Sequence, residues 1–285
     1  MALLPLRKVQ DPEVAGYARD WLEQMKSELA DESCDRRLLC RRALTELTFP
    51  QYSDNWETAV NDLGLPYATR LAVASTDPRN ITLEPEYYSE CDDSRFQPVK
   101  PLLWLWYSFD RTAAGGQNVW LGVMLRRLLA QHIFKRCGEN FKCFQFTEFS
   151  FGYNMEVGND VVVHQHVLLD DRGGIVIGNK VSISDYANVY SHTHSIVEQR
   201  DVTNAKTVIE DGVRITYHAT VLAGVHVGTN AMVGAMALAT KDVRPYHVYV
   251  GIPAKSVKVK PNAPAELQDH VAKTARERGG GGTSD

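Results

Sequence analysis

The chain has 285 residues, with 31 basic and 35 acidic side chains and a formal charge of −4; 44% of its residues are hydrophobic and 23% charged. These values lie near soluble globular averages and exclude a collagen-like chain, a wholly disordered chain and a disulfide-dense miniature protein. The acidic balance argues against a nucleic-acid binder, which carries a basic footprint. At about 150 residues per domain the length predicts two domains and ample material for a core.

The five cysteines (Cys34, Cys40, Cys91, Cys137, Cys143) are odd in number and form no C-x-x-C pair, so they predict neither a disulfide framework nor a zinc ribbon but reduced thiols in a reducing compartment. The stretch MALLPLRKVQDPEV lacks the apolar core and cleavage site of a signal peptide, and no apolar run nears the roughly 20 residues of a membrane span. The expectation is a cytoplasmic chain without an integral membrane segment.

The average covers unlike parts. Residues 1–110 carry 12 basic and 19 acidic residues, residues 111–142 carry 6 and 1, and residues 143–285 carry 13 and 15. All five tryptophans precede residue 121. Residues 1–110 read as a mostly helical N-terminal domain. Asp11-Pro12 forms an N-cap with Pro at the first helical position. Val14, Tyr17, Ala18, Trp21 and Met25 then recur at helical spacing. A second helix is predicted over 35–48, ending before Pro50. Six prolines and no clear period over 50–101 predict turns and short elements. Residues 117–136 form an amphipathic basic helix within 111–142; patterning favours a helix covering the open end of the next domain over one lying on a membrane.

From residue 157 the period becomes six. Val157, Val163 and Leu169 are followed, after a two-residue slip, by Ile177, Ile183 and Val189; after a longer break come Ile209, Ile215, Val221, Val227, Val233 and Ala239. Four residues after most of these stands a small or β-branched residue, such as Val161, Ala187 or Ala219. A period of six fits neither helix nor strand; it fits a β-helix of hexapeptide repeats, three to a triangular turn. The solenoid domain is placed at 143–262. Open solenoid ends need caps, which the basic helix and the segment after Pro261 can supply. Residues 263–285 are read as a C-terminal helix and a disordered Gly-rich tail. Residues 195–208 break the period immediately after His194, which marks a functional loop.

The stretches LLDDRGGIVIGNKVSIS, ANVYSHTHS, VLAGVHVGTNAMVGAMALATKDV and GIPAKSVK resemble the hexapeptide-repeat acyltransferases, in particular the maltose, galactoside and xenobiotic O-acetyltransferase branch. The resemblance covers 157–260. It implies a left-handed parallel β-helix, a homotrimer with active sites between subunits, and acetyl-CoA as acyl donor. In YSHTH, His194 takes the family's catalytic position. A general base near neutral pH suits imidazole, because an acceptor hydroxyl or amine must lose a proton as it attacks the thioester. The resemblance assigns Gln165 and Asp170 to the acceptor, with His192 lining the same cleft. It assigns Tyr217, Ala235, Thr240, Lys241 and Lys258 to the coenzyme. It also implies that the loop after His194 folds over a neighbouring subunit's site.

Arg214 and Thr216 replace the family's usual Trp and Gly, and the first 110 residues do not match the short helical segment that helps form the sugar pocket. The acceptor is therefore expected to be a small molecule or glycan, not maltose or galactoside by inheritance. Two other readings stand beside this one. The γ-class carbonic anhydrases share the fold and bind a metal, but Asp185 and Tyr190 stand where that motif has histidines, and His164/His166 and His192/His194 have the wrong spacing; no metal is expected. A non-catalytic trimeric scaffold would not require His194 or the Thr240-Lys241-Asp242 stretch.

Overall fold

In a computed structural model of the chain, residues 4–198 and 200–268 are described. Among the described residues, seven α-helices precede the solenoid: α1 (Pro12–Leu29), α2 (Arg36–Thr48), α3 (Trp56–Asn61), α4 (Tyr67–Ala74), α5 (Pro85–Glu90), α6 (Asp93–Phe109) and α7 (Val119–Ile133). Their starts follow from capping. The Asp11 carboxylate accepts from the N–H groups of Glu13 and Val14, Asp35 caps α2 in the same way, and Asn118 accepts from Leu121 N–H.

α1 forms where the helical spacing predicts it. The packed face of α1 is Leu22, Met25 and Leu29, while Val14 and Tyr17 remain exposed, because it is the later turns that meet α7. One reading of this region is corrected: the stretch over 50–101 holds more order than its prolines predict. α6 runs for 17 residues through Pro98 and Pro101. Two missing N–H donors are tolerated because tertiary contacts hold the helix. Phe96, Leu102, Leu105, Trp106 and Phe109 are buried, Trp106 Nε1 donates to Thr147 O at 3.0 Å, and Tyr107 Oη donates to Phe149 O at 2.8 Å.

The solenoid begins at Arg136. Its first coil is β1 (Arg136–Cys137), β2 (Lys142–Cys143) and β3 (Glu148–Phe149); its second is β4 (Met155–Val157), β5 (Val162–Val163) and β6 (Leu168–Asp170); its third is β7 (Ile175–Ile177), β8 (Ser182–Ile183) and β9 (Asn188–Tyr190). A hairpin, β10 (His192–His194) and β11 (Val202–Asn204), then leaves the coil. The path resumes with β12 (Thr207–Ile209), β13 (Arg214–Ile215), β14 (Thr220–Val221), β15 (His226–Val227), β16 (Met232–Val233) and β17 (Leu238–Ala239), and closes with β18 (His247–Val250) and β19 (Lys255–Val259).

The strands form three parallel faces. All twelve residues of the six-residue series are buried, and so are the small residues four places later. Cys143 and Phe149 continue the series into the first coil. At the corner between the second and third faces, Phe146, His166, Tyr186, His218 and Met236 each have φ between 55° and 60°. Ring centroids from Phe146 to His218 are 4.8 to 4.9 Å apart, the spacing of adjacent strands. The first four coils therefore stack one ring each, and Met236 takes the position in the fifth.

α7 packs on β1 and β2, and Phe134 meets Phe141 and Phe149 edge-on at 5.8 and 5.4 Å. One of the α7 basic residues turns inward: Arg126 is buried and paired with Asp110, whose second oxygen accepts from Phe146 N–H at 2.7 Å. The buried core runs from Leu22 in α1 to Val243 after the fifth coil. At the far end the antiparallel β18–β19 pair, lying before Pro261, extends the second face. The tail expected within 263–285 lies outside the described residues from 269 onward. No described helix is long and apolar enough to cross a membrane.

Candidate active site

The two-residue slip at 170–174 and the hairpin meet at the corner between the third and first faces. Gly173 permits this: a Cβ there would lie 2.2 Å from Ser191 O, and its N–H donates to Ser191 Oγ at 2.8 Å. The excursion begins at His192, not after His194. His192 and His194 are two apart on β10 and so share a face, with ring centroids 5.3 Å apart and nearly perpendicular.

Asp170 ends β6 and is 2% exposed. Its carboxylate accepts from Ser150 Oγ at 2.7 Å and Arg172 Nε at 3.2 Å, and meets His192 Nδ1. Burial pushes the Asp170 carboxyl up, but the hydrogen bonds from Ser150 and His192 and the charges beside it outweigh that and hold it below its usual range. Asp171 differs: burial pushes it up to about 6 despite hydrogen bonds from backbone N–H groups.

Arg172 is the hub. Its guanidinium meets His192 Nε2, Glu86 Oε1 and Glu90 Oε1, and lies over the Tyr87 ring at 4.7 Å. Guanidinium only donates, so His192 Nε2 accepts and the Nδ1 proton faces Asp170. Both His192 nitrogens are thereby engaged, and its side chain is 13% exposed. The His194 side chain is 38% exposed, with Nε2 3.6 Å from Glu86 Oε1. Glu90 Oε2 accepts from Asn204 Nδ2 at 2.7 Å, tying α5 to the hairpin.

The structure thus gathers Asp170, His192 and His194 at one corner and adds Glu86, Glu90, Arg172 and Ser150, which sequence reasoning did not find. The acidic pair Glu86 and Glu90 comes from α5, more than 80 residues before Arg172 in the chain. Its only sequence signal is a carboxylate pair four apart after Pro85.

Gln165 lies elsewhere, at the corner between the second and third faces, donating to Gln145 Oε1 at 3.0 Å. Tyr217 and Ala235 lie exposed along that same corner column. Thr240 and Lys241 follow β17 and are exposed, and Lys258 is exposed on β19.

Glu86, His192 and His194 are close enough to surround a cation, their ligand atoms lying within 4.8 Å of one another. Two of these side chains already face the Arg172 guanidinium, which supplies the positive charge a metal would bring.

No family model matches the chain. It is 26% identical over 137 residues to galactoside O-acetyltransferase of Escherichia coli (strain K12), covering 47% of this chain and 68% of that protein. It is 30% identical over 154 residues to a Staphylococcus aureus (strain COL) protein provisionally named an acetyltransferase, covering 52% and 77%. Among solved structures it is similar to a maltose O-acetyltransferase from Clostridium difficile 630 (TM-score 0.52, 22% identity, 60% of this chain and 90% of that one). It is also similar to a hexapeptide-repeat acetyltransferase from Vibrio cholerae complexed with acetyl coenzyme A (TM-score 0.51, 21% identity, 60% and 89%). The fold is the left-handed parallel β-helix of such enzymes. The chain belongs to the hexapeptide-repeat acetyltransferases and is an acyltransferase.

Proposed function

We propose that the chain transfers an acyl group, most simply acetyl, from acyl-CoA to a hydroxyl or amine of a small molecule or glycan, with His194 as general base. The observation that carries this is the contrast between the two histidines. His192, held by Asp170 and Arg172, has a side chain only 13% exposed, whereas the His194 side chain at the same corner is 38% exposed. His192 then holds Asp170 and Arg172 in place instead of meeting the acceptor, and Asp170 acts through it.

In the reaction His194 takes the acceptor proton as the acceptor atom bonds to the thioester carbonyl carbon. The developing oxyanion is met by a backbone N–H. The tetrahedral species collapses with cleavage of the C–S bond, and the imidazolium returns its proton to the leaving thiolate. No covalent enzyme intermediate is needed.

In this reading Tyr217, Ala235, Thr240, Lys241 and Lys258 meet the coenzyme and Gln165 meets the acceptor. Because Gln165, Tyr217 and Ala235 sit on a different corner from His194, a complete site is proposed to form between neighbouring subunits of a homotrimer. The galactoside and maltose named for the relatives are not extended to this chain, since α5 of the helical segment, which the resemblance does not cover, contributes Glu86 and Glu90 to the corner that holds His194.

An acceptor screen with acetyl-CoA, reading released thiol, tests the reading. It predicts acceptor-dependent thiol release; none from any hydroxyl or amine class, together with no thermal shift at millimolar acetyl-CoA, would contradict it and favour a scaffold.

A further inference from the structure

We infer that Glu86, carried by α5 of the helical segment, is the positioning residue for His194, so that the helical segment completes the catalytic corner. This rests on the proposed role of His194.

The carboxylate sits between two groups. Its Oε1 meets Arg172 NH1 and lies 3.6 Å from His194 Nε2. That second separation is an ion-pair distance and longer than a hydrogen bond; such contacts tighten when substrate binds. The hydrogen bond from Arg172, aided by the charges of Arg172 and the histidines, holds the Glu86 carboxyl below its usual range, which favours its anionic form. An anion beside Nε2 orients the ring and stabilises the imidazolium formed when His194 takes the acceptor proton.

The placement of Glu86 is fixed from several sides. Pro85 opens α5, Tyr87 lies under the Arg172 guanidinium and edge-on to Phe151 at 5.7 Å, and Glu90 ties α5 to both Arg172 and Asn204. Among the described residues, the charged groups at this corner include Glu86 and Glu90 from α5, Arg172 and Asp170 from the slip and His192 on the same strand, with Glu198, Arg200 and Asp201 in the hairpin loop. Arg172 is shared among Asp170, Glu86 and Glu90, and Glu86 also lies within ion-pair distance of the His194 ring.

The probe is diethyl pyrocarbonate, which acylates neutral imidazole, with modification at His194 followed by peptide mass from pH 5 to 8 on the full chain. In Glu86→Gln, the pH midpoint of modification at His194 moves down, giving a several-fold faster reaction at pH 6 than wild type; Glu86→Asp lies between. On thiol release with the acceptor found by screening, Glu86→Gln lowers kcat on the order of 10- to 100-fold, the range of general-base assistance, with KM for acetyl-CoA unchanged. An unchanged modification profile in Glu86→Gln would overturn the inference, and so would a kcat within twofold of wild type. A shifted profile together with an active His194→Ala would instead sink the catalytic role of His194 and leave the pairing standing.

Discussion

Asp170 and Asp171 are adjacent carboxylates that titrate in opposite directions, and the cause is what each oxygen meets. Asp170 lies among Ser150, His192 and Arg172 and is held low. Asp171 is enclosed and meets backbone N–H groups, those of Phe151 and Asn154 at 2.8 and 3.1 Å and that of Gly152, and burial wins. For Asp171 the folded value of about 6 exceeds the ordinary 3.8 of an aspartate. Its contribution to stability is therefore fully present below the lower value and lost as pH rises through 6. We expect the wild-type unfolding free energy to gain about 1 kcal/mol from this group between pH 7 and pH 5, and Asp171→Asn to lack that gain. Urea unfolding of both at the two pH values checks it; an equal pH response would contradict it. Asp170 has the reverse sign, and its contribution is lost as pH falls below the ordinary carboxyl range. At this scale His194 and Asp170 were legible because they lie in a local motif. Glu86, Glu90 and Arg172 were not, since nothing in a linear string reports a contact made across more than 80 residues.

The elements show the same division between local and long-range signals. The six-residue period was readable because each coil must bury the same inward positions. The solenoid starts at Arg136, ahead of the boundary read at residue 143, and its first coil did not show the six-residue period because Cys137, Cys143 and Phe149 occupy those positions in place of aliphatic residues. Its cysteines are core groups, and burial pushes the Cys143 thiol up to about 11. α6 was missed because Pro98 and Pro101 oppose a helix locally, whereas the docking of Trp106 and Tyr107 on β3 decides the matter. The helices are joined to the first coil by the buried Asp110–Arg126 pair, both side chains being 2% exposed. Asp110→Ala would strand that guanidinium and is expected to cost about 3–5 kcal/mol. By contrast Glu156→Gln, which removes the partner of Lys135, a side chain 60% exposed, should cost under about 1 kcal/mol. Chemical denaturation ranks the two; a comparable loss in both would contradict the assignment.

Across the whole molecule, the helices and coils share one core cluster from Leu22 to Val243. A single cooperative unfolding transition is expected by both far-ultraviolet dichroism and tryptophan fluorescence. All tryptophans lie in the helical part, so separate unfolding would split the two signals. The assembly prediction is equally direct. If sites form between subunits, co-refolding His194→Ala with Ala235→Trp restores about a quarter of the sites, since two independent halves must both be intact; no recovery would place each site within one chain. The central claim is the role of His194, and it is tested most directly by the rate of acetyl transfer from acetyl-CoA in His194→Ala, measured on protein whose assembly and acetyl-CoA binding match wild type. The account predicts loss of transfer by at least 100-fold; transfer near the wild-type rate would contradict it.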